Sequence, residues 1–159
     1  MEGLVTVWMY LLLLAFGIWF CLWQFLGKKF SPAWKVGLFL ALYDFAFETA
    51  GGYLGFWTSQ KSVFPLGFVP LEVFFIALMA GMAYNWVIPA KLEPGKLIAV
   101  LLAISVAGAL IEALLVATGF LVYSNWNSLL AVPAYAVSFG FVHMVDERVS
   151  GKPRRRAGL

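Results

Sequence analysis

Four acidic residues, Asp44, Glu48, Glu72 and Glu112, lie in sequence that is otherwise apolar enough to enter a bilayer. Ionisable groups are costly at that depth, so they usually face the interior of a helix bundle and mark function. Burial and mutual repulsion both favour the neutral carboxyl, so we expect most of the four to be protonated. A neutral buried acid donates protons, and an ionised neighbour accepts them. The pattern predicts acid–base chemistry inside a membrane; the alternative is that the acids only hydrogen-bond between helices, as Asp44 in particular could do.

The composition favours membrane helices as the elements that position these acids. The chain is 63% hydrophobic and only 12% charged, whereas soluble domains have roughly 25% charged residues. Its apolar runs are continuous, whereas strands of a membrane barrel would alternate apolar and polar residues. The single cysteine, Cys21, excludes an intrachain disulfide and a cysteine metal cluster. The sequence contains no Glu-x-x-His pair of the kind that di-metal bundles use, so we expect neither a metal nor another cofactor.

The runs predict an all-α integral membrane protein with a five-helix domain over residues 1–145 and a basic cytoplasmic tail over 146–159. The predicted spans cover about residues 4–26, 34–57, 63–87, 97–123 and 128–145. Pro65 and Pro70 predict a bend or break in the third span.

Lysine and arginine are concentrated in the 1–2 loop, the 3–4 loop and the tail, which predicts an external N-terminus and a cytoplasmic C-terminus. We therefore expect a protein of a prokaryotic plasma membrane whose tail contacts anionic lipid. This distribution in loops and tail does not indicate nucleic-acid binding. A homodimer or a heteromeric partner is compatible with the sequence.

Two parts of the chain share a spacing that predicts a parallel repeat of helices 2–3 and 4–5. The first part has Glu48, Gly55-Phe56, Pro70 and Glu72, and the second has Glu112, Gly119-Phe120, Pro133 and Tyr135. The Glu-to-Gly spacing is identical, and the Gly-to-Pro spacing differs by one residue. A real repeat would place Tyr135 opposite Glu72, whereas the alternative is coincidence in a low-complexity apolar sequence.

Counting residues along the predicted spans brings the acids to one level. At a helical rise of about 1.5 Å per residue, Glu48, Glu112 and Glu72 all fall in the outer half of a core about 30 Å thick. Asp44 lies one turn deeper than Glu48 on the same face. We expect aromatic residues near this level to bind substrate, namely Tyr53, Trp57, Phe74, Phe75, Tyr123, Trp126 and Tyr135. His143 lies near the inner end of the fifth span, where we expect a packing or interface role.

About 30 residues around the third predicted span resemble a known family. Asp44, Gly55-Phe56-Trp57, Gly67, Pro70-Leu71-Glu72 and Phe74-Phe75 resemble the lycopene cyclase domain of membrane carotenoid cyclases. The stretch from Glu48 to Tyr53 is similar to the related carotenoid hydratases. The chain differs from the family pattern at Val73, where a second glutamate is usual, and its paired aromatic residues come one position early.

The resemblance implies proton-initiated chemistry on a polyene. An acid protonates a terminal double bond, aromatic faces stabilise the carbocation and a second carboxylate removes a proton. The resemblance implies Glu72 as the acid and Asp44 as the other matched carboxylate. We add Glu48 and Glu112 to this catalytic set because residue counting places them at the same depth in the membrane. The sequence thus predicts an intramembrane acid–base enzyme for an isoprenoid lipid: a carotenoid-type cyclase, hydratase or isomerase. A proton-coupled transporter, a lipophile-binding protein and a structural subunit of a membrane complex are the alternatives.

Overall fold

The computed structural model describes residues 6–26 and 30–150, which are mostly helical. The helices are α1 (Val7–Leu26), α2 (Phe30–Tyr53), α3 (Leu71–Val87), α4 (Pro94–Ala117) and α5 (Ser128–Val149). The strands are β1 (Trp57–Ser59), β2 (Pro65–Leu66), β3 (Val69–Pro70) and β4 (Leu121–Tyr123). Two short antiparallel sheets, β1–β4 and β2–β3, correct the prediction of an all-α fold. Helices α1, α4 and α5 are long and apolar enough to cross a membrane, so a membrane protein is the class that the structure supports.

Helices α2 and α4 end in the same backbone motif. Gly55 and Gly119, 64 residues apart, have φ values of 71° and 72°, a left-handed conformation that glycine adopts without steric cost. At both ends the amide of the next residue, Phe56 or Phe120, donates to the carbonyl five positions earlier at 2.9 Å. This bond is typical of the Schellman motif that ends many helices. The equal spacing in sequence therefore corresponds to equal local structure.

The sheet β1–β4 joins these two helix ends symmetrically. Gln60 N donates to Phe120 O at 2.8 Å, and Ser124 N donates to Phe56 O at 2.9 Å. The two bonds are related by the same shift of 64 residues. At the centre of the sheet, Thr58 pairs with the residue 64 positions further along the chain. The two helix–turn–strand segments thus face each other across a local pseudo-twofold axis.

The third helix begins later than predicted. The first part of the predicted span 63–87 is the β2–β3 hairpin, and α3 begins at Leu71. Pro65 and Pro70 lack the amide hydrogen that a helix interior needs, and each disfavours helical geometry in the residue before it. Gly67 has a φ of 65°, which allows the tight turn between the two strands. The prolines therefore replace the start of the helix by a hairpin.

Boundaries of the other helices also differ from the predictions. Helix α2 begins at Phe30 and ends at Tyr53, and α4 ends at Ala117, because the left-handed glycines and the sheet follow. Helix α5 continues to Val149. Asp146 is thus a buried helical residue, and the prediction that the tail begins there is wrong. The remaining tail, residues 151–159, lies outside the described residues, as do residues 1–5 and the lysines at 28 and 29.

Consecutive helices run in opposite directions between two ends of the bundle, so α1 and α3, which pack on each other, are parallel. One end, here called the sheet end, carries β1–β4, and there Trp8 Nε1 donates to Gln60 O at 2.7 Å. At the opposite end the last turns of α3 and α5 meet, where Asn85 Nδ2 donates to Ser150 Oγ at 3.0 Å. We call this the basic end, because Arg148 lies in the last turn of α5 there.

Glycines allow α2 and α3 to approach closely. A Cβ atom added to Gly81 would lie 2.7 Å from Gly37 Cα and 2.9 Å from Val36 O. Backbone contact of this kind is typical of small-residue helix crossings in membranes. The crossing fixes the relative position of the two helices that form one side of the site.

Candidate functional site

A partly enclosed cavity of about 180 Å³ lies between α2, α3, α4 and α5. Its lining is Leu40, Asp44, Phe47, Glu48, Val73, Ile76, Ala77, Ala80, Glu112, Trp126, Ala131, Ala134, Tyr135, Ser138 and Phe139. An apolar cavity of about 150 Å³ is large enough for benzene. The space therefore fits one ring or a branched hydrocarbon end of similar size, and not a whole long lipid.

Helix α2 supplies two of the carboxyls. Asp44 and Glu48 are four residues apart and therefore share one helix face. Glu48 Oε2 accepts a hydrogen bond from Trp57 Nε1 at 2.8 Å. The buried Trp57 indole lies against Gly51, where any Cβ would overlap the ring. Gly51 thus allows the indole to reach the carboxyl.

Helix α4 supplies the third carboxyl in a similar arrangement. Glu112 Oε2 accepts a hydrogen bond from Tyr123 Oη at 2.7 Å. Tyr123 pairs with Trp57 across the β1–β4 sheet. The β1–β4 pair therefore carries both aromatic donors. Trp57 of β1 donates to Glu48 of α2, and Tyr123 of β4 donates to Glu112 of α4.

Asp44 differs from the two glutamates in its hydrogen bonding. Its Oδ2 is shielded from solvent and has no hydrogen-bond partner within residues 6–26 and 30–150. Asp44, Glu48 and Glu112 are close enough to repel one another electrostatically. None of the lining residues is lysine, arginine or histidine. Without a compensating cation the three carboxyls cannot all be ionised at low dielectric, so the site must retain protons.

Tyr135 of α5 completes the polar part of the cavity. Its ring lies over Gly108 of α4, where an added Cβ would lie 3.0 Å from three ring atoms. Gly108 is the residue 64 positions after Asp44. The two helix positions thus differ, since one holds a carboxyl and the other makes room for an aromatic ring.

The apolar lining follows helical spacing and was not identified from sequence. Helix α3 contributes positions 73, 76, 77 and 80, and α5 contributes positions 131, 134, 135, 138 and 139. Intervals of three and four place these residues on one face of each helix. The same intervals, counted from Tyr135, would have indicated Ala131 and Ser138.

Glu72 does not line the cavity. It is only 2% exposed, and it accepts hydrogen bonds from Ser62 Oγ at 2.9 Å and from Val63 N at 3.0 Å. The residue lies in the first turn of α3, where the helix dipole favours a negative charge. Glu72 therefore fastens the preceding loop to the helix, and the structure separates it from the other three acids.

Two of the seven predicted aromatic residues, Trp126 and Tyr135, line the cavity. Trp57 and Tyr123 instead donate hydrogen bonds to the glutamates. The remaining three lie elsewhere: Tyr53 is 82% exposed at the end of α2, and the rings of Phe74 and Phe75 pack against each other with centroids 5.7 Å apart.

Comparison with known proteins does not assign the site. No protein-family model, no curated protein and no solved structure matches the chain.

Proposed function

We propose that all five helices cross the membrane, with the N-terminus outside and the basic end in the cytoplasm of a prokaryotic cell. Helix α2, with 24 residues, would extend about 36 Å, and α3, with 17 residues, about 26 Å. Both lengths are near the core thickness of about 30 Å. Arg148 at the basic end supports the orientation, because cytoplasmic segments are rich in lysine and arginine.

We further propose that helices 2–3 and 4–5 are a parallel repeat. The support comes from the matching ends of α2 and α4 and from the symmetric bonds of Gln60 and Ser124. In such a repeat Glu48 and Glu112 are equivalent residues. The site then lies beside the pseudo-twofold axis, as is common for proteins built from repeats.

We propose that the protein is an intramembrane acid–base enzyme that acts on the unsaturated end group of an isoprenoid lipid. The observation that carries this proposal is the cavity itself, in which Asp44, Glu48 and Glu112 meet a mainly apolar lining that contains no lysine, arginine or histidine. The cavity volume matches one end group. The resemblance to carotenoid cyclases and hydratases agrees with a substrate of this class.

Asp44 is the proton donor in this proposal, because its Oδ2 has no hydrogen-bond partner among residues 6–26 and 30–150. The π electrons of a C=C bond take the carboxyl proton and form a new C–H bond, which leaves a carbocation on the other carbon. The rings of Trp126 and Tyr135 line the cavity and can stabilise such a cation through their π faces.

Glu48 or Glu112 is the base, since a hydrogen bond to one carboxyl oxygen stabilises the ionised form. Removal of a proton from the carbon next to the cation restores a C=C bond and neutralises the base. Proton exchange with water then returns Asp44 and the base to their starting forms. The net reaction is an isomerisation or ring closure without change in mass, whereas capture of the cation by water would give a hydration.

Chromatographic separation of the bound lipid, followed by mass spectrometry, tests this proposal, because isomers of equal mass differ in retention. Wild type and Asp44→Asn are purified from the same host in mild detergent, and their lipid extracts are compared. We expect an isoprenoid in both samples, converted only by the wild type. Glu72→Gln is the matched control, because Glu72 lies outside the cavity, and it should convert the lipid like the wild type. A bound lipid that is unchanged in every sample would favour the lipophile-binding or transporter alternative.

A further inference from the structure

One side of the cavity has no helix–helix contact to close it. Helices α2, α3, α4 and α5 all contribute to the lining. In the described part of the chain α2 packs on α3 and on α5, and α4 packs on α5, but α3 and α4 are not packed closely on each other. No described residue of α1 lines the cavity. The partly enclosed cavity therefore lacks a wall between α3 and α4, and we call this place the α3–α4 opening.

Comparison with the closed side of the bundle shows which side chain is missing. In the proposed repeat, the contact between α2 and α5 corresponds to a contact between α4 and α3. On the closed side, the ring of Tyr43 of α2 lies 6.0 Å from the ring of Phe141 of α5. The residue 64 positions after Tyr43 is Ala107 of α4. An alanine side chain is too short to fill the space that a tyrosine ring fills, so this side of the bundle stays open.

Buried contacts bound the α3–α4 opening on α4. Toward the basic end, Ile104 packs against the buried cluster that includes Ala77 of α3. Toward the sheet end, Leu115 belongs to the same buried cluster as Trp8 of α1. Between these two positions Ile111 is 50% exposed. The distance from position 104 to position 115 is about 16 Å along the helix, which sets the height of the opening.

Both sides of the opening are apolar. Helix α3 contributes Ile76 and Ala80, which are half-buried and line the cavity. Helix α4 contributes Ala107 and Ile111, which are exposed. Because α4 is long and apolar enough to cross a membrane, residues in its interior lie at the depth of the lipid chains. The opening therefore faces hydrocarbon and not water.

We propose that the substrate lipid enters through the α3–α4 opening and that its tail stays there while its end group occupies the cavity. This inference rests on the proposed function, because a cavity of about 180 Å³ holds one end group and the rest of a long lipid needs a way out. The apolar sides of the opening suit a chain without charged or hydrogen-bonding groups. The substrate class is thus a lipid whose unsaturated end group is followed by a long hydrocarbon chain, with any polar group at the far end.

Photolabelling locates the tail. The probe is a C20 prenyl alcohol with an unsaturated branched end and a diazirine midway along its chain. It is added to Asp44→Asn in mild detergent, so that no conversion alters it. We expect most of the label on the peptides of α3 and α4 that contain Ile76 and Ile111, and excess unlabelled alcohol should remove it. Label mainly on α2 and α5, or no label that the unlabelled alcohol removes, would overturn the proposal.

A bulkier side chain in the opening provides a second test. Ile111→Trp should slow uptake of the tritiated probe about tenfold, which corresponds to a rise of about 1.4 kcal/mol in the barrier. Leu110→Trp is the matched control, because Leu110 is also exposed, at 61%, and points about 100° further around the helix. It should take up the probe like the unsubstituted chain. Equal uptake rates in the two tryptophan variants would contradict an entry route between α3 and α4.

These tests are separate from the test of the chemistry, because labelling and uptake require no conversion. Label at the opening without lipid conversion by the wild type would support the opening and overturn the proposed enzymatic function. Conversion by the wild type with label on α2 and α5 would support the enzymatic function and overturn the opening.

Discussion

Replacing Gly81 by alanine should separate helices α2 and α3 and lower the stability of the fold. The new Cβ would lie 2.7 Å from Gly37 Cα and 2.9 Å from Val36 O. Two carbon atoms are most stable about 3.5–4.0 Å apart, so the helices must move apart by roughly 1 Å. Both obstructing atoms belong to the backbone, so a change of side-chain rotamer cannot relieve the overlap.

Overpacking of this kind typically costs about 1–3 kcal/mol, which corresponds to a fall in Tm of about 2–12 °C for a chain of this size. Thermal unfolding in detergent, followed by circular dichroism, measures this fall. The same displacement would widen the cavity, because α2 and α3 both line it. The amount of lipid that co-purifies should therefore decrease as well.

Gly17→Ala is the matched control for this prediction. Gly17 lies in the interior of α1, and apart from the neighbouring turns of its own helix no described residue lies within 4 Å of a Cβ added there. Alanine is more favourable than glycine in a helix by roughly 0.5–1 kcal/mol, so this variant should be as stable as the wild type or slightly more so. If Gly81→Ala unfolds at the same temperature as Gly17→Ala, the close crossing of α2 and α3 is refuted.

The other predictions concern single hydrogen bonds. Asn127→Ala removes the side-chain cap of α5, which accepts from two backbone amides, and should cost about 1 kcal/mol of unfolding free energy in a denaturant titration; no loss would contradict the cap. Tyr123→Phe removes the hydrogen bond to Glu112 and should slow lipid conversion about 10- to 100-fold in single-turnover assays, since a bond to a charged group contributes about 1.5–3 kcal/mol; an unchanged rate would exclude Glu112 as the base. Glu72→Gln should speed hydrogen exchange at the Val63 amide, which loses a charged acceptor; unchanged exchange would contradict the role of Glu72 in holding the loop.

Much of the fold was predictable because it depends on local patterns. Apolar runs locate the five helices, and three of them are confirmed as long and apolar enough to cross a membrane. The equal Glu-to-Gly spacing indicated equivalent positions, and Gly55 and Gly119 do have equivalent conformations. The strands were missed because segments of two or three residues carry too little pattern to be distinguished from the apolar helices beside them.

The site was only partly predictable, because the depth of each acid was calculated from the helical rise per residue as if every predicted span were one continuous helix. Glu72 was counted as if the chain rose helically from Val63, but a hairpin precedes Leu71 and places Glu72 in the first helical turn. Asp44, Glu48 and Glu112 lie well inside real helices, and these three do line the cavity. The donor roles of Trp57 and Tyr123 depend on strand pairing between distant segments, which spacing along the sequence does not show.

The predicted boundary of the tail at Asp146 depended on charge. It is followed by Glu147 and Arg148, and a run of charged residues usually indicates a solvated segment. In the structure only one of the two acids faces outward, since α5 continues and turns Asp146 toward Asn85. Charge alone could not distinguish the buried acid from its exposed neighbour.

The most direct test of the proposed chemistry is deuterium incorporation from D₂O into the bound lipid. The central claim is that Asp44, Glu48 and Glu112 exchange protons with water and deliver one to a lipid carbon. Wild-type protein incubated in D₂O with the unconverted lipid extracted from Asp44→Asn should yield a product that is one mass unit heavier, and Asp44→Asn itself should yield none. Product without deuterium, or full incorporation by Asp44→Asn together with loss in Glu72→Gln, would contradict the account and return the acid role to Glu72.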